Sequence, residues 1–71
     1  MSTQDELREV EEDLAKLKAA LADVVDQIST MGATDMTERS SMIAMADDHR
    51  TVILELEAWR DELLSRLSKE G

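Results

Sequence analysis

Apolar side chains recur at Leu7, Val10, Leu14, Leu17, Leu21, Val24, Ile28 and Met31 in an unbroken alternation of three and four residues. Only a helix gathers every third and fourth residue on one face, and a repeat of seven keeps that face turned toward a neighbouring helix. The first half of the chain is therefore a helix that needs a partner along its whole length. The second half offers one, with a stripe of Met42, Met45, His49, Val52, Leu56, Trp59, Leu63 and Leu67. Proline, phenylalanine and tyrosine are absent, while strong helix formers dominate, so strand is excluded as a competing reading.

The ends of the two helices follow from capping chemistry. Thr3 and Glu6 have the spacing of a capping box, which predicts a first helix over residues 4–31. Asp35 and Glu38 repeat that spacing and open a second helix over 35–69, with Arg66 and Lys69 complementing its negative end. Between them, Gly32 suits a left-handed residue closing the first helix, and Thr34 or Asp35 suits the next N-cap. The whole chain, 1–71, reads as one all-α domain, an antiparallel helical hairpin with its turn at 32–34. A turn centred there makes facing residue numbers add to about 66, which sets Val24 opposite Met42, Leu21 opposite Met45, Leu14 opposite Val52 and Leu7 opposite Trp59.

Seventy-one residues bury a small fraction of their surface, and chains of this size gain stability from disulfides, metals or oligomerisation. Cysteine is absent and His49 is the one histidine, too few ligands for a structural zinc. Self-association remains, and a homodimer forming a four-helix bundle or coiled coil is the expectation. The residues expected to carry it are Leu21, Val25, Met42, Met45, Ile53 and Leu56, helped by the small side chains Ala19, Ala20 and Ala22. Leu54, Trp59 and Leu64 are left for a further protein partner. Met31, Met36, Met42 and Met45 gather near the turn as adaptable filler.

Catalytic arrangements are missing from the pattern. There is no thiol nucleophile, no second histidine and no glycine-rich phosphate loop, and a two-helix hairpin offers little concavity. His49 has no same-face carboxylate at helical spacing and reads as a seam residue. No enzyme activity, cofactor or metal is expected. The net charge of −9 repels phosphate backbones and anionic lipid surfaces, no apolar run approaches the roughly 20 residues of a membrane span, and no signal peptide is recognisable. A cytoplasmic, non-enzymatic protein-protein interaction module, such as an adaptor, assembly factor or small regulatory subunit, is the function these features imply. The competing class is an acidic mimic of nucleic acid, in which Asp5, Glu9, Glu12 and Asp13 occupy the basic groove of a DNA- or RNA-binding protein. Ionic strength separates the two, because charge-driven binding weakens with salt and seam packing does not.

Overall fold

The computed structural model describes residues 2–30 and 36–70. Two helices, α1 (Thr3–Thr30) and α2 (Met36–Glu70), pack antiparallel as a hairpin 56 Å long and 16 × 14 Å across. The expected turn residues Gly32, Thr34 and Asp35, together with Met31, lie outside the described residues.

On α1 the sequence stripe is the packed stripe. Val10, Leu14 and Val24 are buried, and Leu7, Leu17, Leu21 and Ile28 are half-buried between them. On α2 the packed stripe is Met42, Ala46, His49, Ile53, Leu56, Arg60, Leu63 and Leu67, with Ala46 at 1 % exposure and Leu63 at 0 %. Here the structure corrects the sequence reading. Met45, Val52 and Trp59 were expected in the seam, yet they stand 48, 40 and 39 % exposed, while Ala46, Ile53 and Arg60, one residue further along, take their places. Phase explains the exchange. A strict four-three alternation traced back from Leu67 and Leu63 passes through Arg60, Leu56, Ile53, His49, Ala46 and Met42, whereas a stripe through Trp59 must stutter to reach Leu67. Keeping one phase turns Trp59 outward and draws Arg60 inward, where its apolar stem lies along the seam and its guanidinium reaches Asp61 Oδ1 at 3.4 Å.

The register differs as well. Thr3 Oγ1 donates to Glu70 Oε1 at 2.9 Å, and Lys18 Nζ lies 3.5 Å from Glu57 Oε2, so facing numbers add to about 73 to 75 rather than 66. This sets Leu7 opposite Leu67, Val10 opposite Leu63, Leu17 opposite Leu56, Leu21 opposite Ile53 and Val24 opposite His49. The shift is one heptad, and the helix lengths show why it arises. At 35 residues against 28, α2 is one heptad longer than α1, and the surplus overhangs either the open end or the turn end. Overhang at the open end would strand Leu63 and Leu67. Overhang at the turn end sets the segment 36–41, which carries one large apolar side chain, Met36, beyond the packed face of α1, and the greater apolar area is buried in this way.

The start of α1 also differs from expectation. Ser2, not Thr3, is the N-cap: the Asp5 amide donates to Ser2 Oγ at 3.1 Å and the Glu6 amide to the Ser2 carbonyl at 3.1 Å. Thr3 is released to tie the open end through Glu70. At the other end of α1, Ser29 Oγ donates to the Val25 carbonyl at 3.0 Å and Thr30 Oγ1 to the Asp26 carbonyl at 3.1 Å, occupying acceptors near the helix end. Ser2→Ala is expected to cost about 1 kcal/mol, a fall of roughly 4–8 °C in melting temperature. Thr3→Val, which removes an exposed hydrogen bond, is expected to cost less in the same thermal melt. The reverse order would return the cap to Thr3.

Candidate functional site

Once the seam is assigned, each remaining apolar side chain belongs to a definite flank. Trp59 lines an open groove of about 280 Å³ with Leu56 of α2 and Glu6, Glu9, Val10 and Asp13 of α1. This places the row Met45, Val52 and Trp59, spaced by sevens, on the same flank as Glu6 and Asp13. Continuing by sevens, the α1 row on this flank runs on to Ala20 and Gln27, and the α2 row reaches Arg66. Arg66 confirms the line, since its guanidinium carbon lies 5.0 Å above the Trp59 ring while Nε donates to Glu62 Oε1 at 3.3 Å. The Lys18–Glu57 ion pair marks the opposite flank, which carries Ile43, Arg50 and Leu64 on α2 and Glu11 and Val25 on α1. Leu54 points away from both flanks on the outer side of α2.

Among the residues expected to mediate self-association, Leu21, Met42 and Leu56 are half-buried and Ile53 is buried, so their apolar surface is largely taken up within the hairpin. Met45 and Val25 remain exposed, on opposite flanks. Leu54, Trp59 and Leu64, expected to meet a further partner, are all exposed but do not share one surface: Trp59 and Leu64 lie on opposite flanks, with Leu54 behind. Val52 was missed because it was assigned to the seam. Its signal was present in the sequence, since Met45, Val52 and Trp59 form a second seven-residue row beside the one that packs.

The carboxylates Asp5, Glu9, Glu12 and Asp13 are all exposed along the first half of α1. Glu9 and Asp13 form the rim of the Trp59 groove, giving it one acidic wall and one aromatic wall. His49 is half-buried in the seam, and its Nδ1 lies 2.7 Å from the Met45 carbonyl oxygen. With Nδ1 donating to that carbonyl, the neutral ring presents Nε2 as its acceptor. No group of three His, Asp or Glu side chains that could hold a metal ion occurs among the described residues. No described helix is long and apolar enough to cross a membrane. No protein-family model matches this chain, and neither curated proteins nor solved structures include a significant match to it.

Proposed function

We propose that the protein is a non-enzymatic interaction module that works through apolar rows left outside its own seam. The observation that carries this reading is the Met45, Val52 and Trp59 row. The hairpin buries Ala46 and Ile53 in the seam and leaves the apolar Met45, Val52 and Trp59 beside each other on one flank. A single exposed apolar residue is ordinary on a protein surface, but three in line with an aromatic at one end have the composition of a docking stripe. Ile43 and Leu64 on the opposite flank, and Leu54 behind, extend the same logic to a second contact.

Site-specific photo-cross-linking in the source cells tests this reading. A photoreactive residue at position 52 is expected to give a discrete protein adduct at native abundance, and one at the exposed position 12 none. The absence of any adduct at position 52 would remove the proposal. An adduct confined to position 12 and lost at high salt would instead favour binding through the acidic surface.

A further inference from the structure

We propose that the Met45 flank docks against the same flank of a second copy of this chain, α2 antiparallel to the partner's α2, about a twofold axis at Val52. The inference rests on the interaction-module reading and supplies its partner. It starts from the complete row on that flank of α2: Glu38, Met45, Val52, Trp59 and Arg66. Reversed upon itself, the row is complementary at every position. Val52 meets its own equivalent, Met45 meets the partner's Trp59 in a thioether-aromatic contact, and Glu38 meets the partner's Arg66 with opposite charge.

The first helix meets the same axis near the small side chain of Ala20. The register sets residues 21–23 of α1 level with Val52, so the axis passes α1 one to three residues beyond Ala20, the smallest side chain of its row. Two α1 helices can approach closely only at such a position. Like charge arises where Asp48 nears the partner's Glu55 on the outer edge of α2. A twofold axis parallel to the helices is the other closed arrangement. It would set the apolar α2 row on the partner's α1 row and press Trp59 against Asp13, so it is disfavoured.

Size and competition agree with the choice. One flank of a hairpin 56 Å long and 16 Å wide has room for the roughly 800 Å² per partner that stable dimers bury. The opposite flank is a poorer surface, because Arg50 and Glu57 stand between Ile43 and Leu64. Arg50 pairs there with Asp47 Oδ1 at 3.0 Å and Glu57 with Lys18 Nζ at 3.5 Å, so the middle of that row is charged rather than apolar. Since each chain carries −9, the apolar row must overcome net repulsion, and added salt is expected to hold or strengthen the dimer.

Light scattering across a concentration series, at low and high salt, tests the inference, with Trp59 emission read alongside. The wild-type chain is expected to run as a salt-resistant dimer whose emission shifts to the blue as it forms. Val52→Glu, which sets two carboxylates at the axis, is expected to weaken the dimer by about 100-fold or more while helicity by circular dichroism is retained. Glu38→Arg and Arg66→Glu are each expected to weaken it by about tenfold, and the two together to restore it. A Val52→Glu chain that stays dimeric, or a double exchange that fails to recover, would overturn the axis. A wild-type chain monomeric at every concentration would overturn the copy as partner. In that case a position-52 adduct to a different protein would leave the interaction-module reading standing, and no adduct would remove both.

Discussion

Leu63→Ala is expected to lower the melting temperature by roughly 10–30 °C, more than any other single truncation in the chain. Among the described residues Leu63 is the one large side chain with no exposed surface, and the register places it opposite the buried Val10 near the open end of the hairpin. Truncating a buried leucine costs about 2–5 kcal/mol, through lost transfer energy and through the cavity left behind. A domain of this size has a total stability of only about 4–10 kcal/mol, so the change consumes a large share of it. The control is its neighbour. Leu64 is 45 % exposed on the Lys18–Glu57 flank, and Leu64→Ala is expected to fall within about 0.5 kcal/mol. Both melts are followed by circular dichroism at one fixed protein concentration, because association would otherwise shift the midpoint. Equal losses for the two variants would refute the phase assigned to α2.

The contrast between these adjacent leucines also shows where sequence reasoning succeeded and where it failed. The fold class and the α1 seam were legible because α1 offers a single phase: from Leu7 to Val24 the flanking positions are charged or alanine, and no rival stripe exists. In α2, apolar residues occupy two neighbouring phases at once, as in the pairs Met45 with Ala46 and Val52 with Ile53. Side-chain size favours Met45 over Ala46 and barely separates Val52 from Ile53, but helix geometry rewards continuity. A stripe that includes Leu63 and Leu67 without a stutter contains Ala46, Ile53 and Arg60.

Register was illegible for a related reason. A seven-residue repeat is unchanged by a slide of seven, so the α1 stripe accepts either alignment equally well. The decision falls to the ends, where the extra heptad of α2 overhangs the turn and Thr3 meets Glu70. The candidate site inherited both errors. With Met45, Val52 and Trp59 assigned to the seam, their row could not be recognised as a surface, and Trp59 was joined to Leu54 and Leu64, from which the structure separates it. The N-cap shows the same weakness on a smaller scale: Ser2 and Thr3 are both good capping residues, and only the helix start chooses between them.

The combined variant His49→Leu and Arg60→Met is expected to move stability in the opposite direction, raising the melting temperature by roughly 5–10 °C. Both residues occupy seam positions, His49 between the buried Ala46 and Ile53, and Arg60 between the half-buried Leu56 and the buried Leu63. Polar groups held against an apolar seam lose hydration that is only partly replaced, in one case by the Met45 carbonyl and in the other by the carboxylate of Asp61. Methionine at position 60 keeps the unbranched stem that packs and removes the guanidinium, while leucine at 49 fills the imidazole's place with apolar surface. The expected gain is about 1–2 kcal/mol, which at this chain length corresponds to the stated shift. Specificity is expected to suffer in exchange. With these two polar positions gone, the α2 seam becomes apolar from Met42 to Leu67, and polar seam residues are the device by which helical assemblies reject alternative partner numbers. Light scattering on the same sample is therefore expected to show a broader mass distribution, with species larger than the wild type. A lowered melting temperature would mean that the imidazole and guanidinium contribute net stability to the seam. A raised one with unchanged mass would assign control of assembly to the exposed Met45, Val52 and Trp59 row alone.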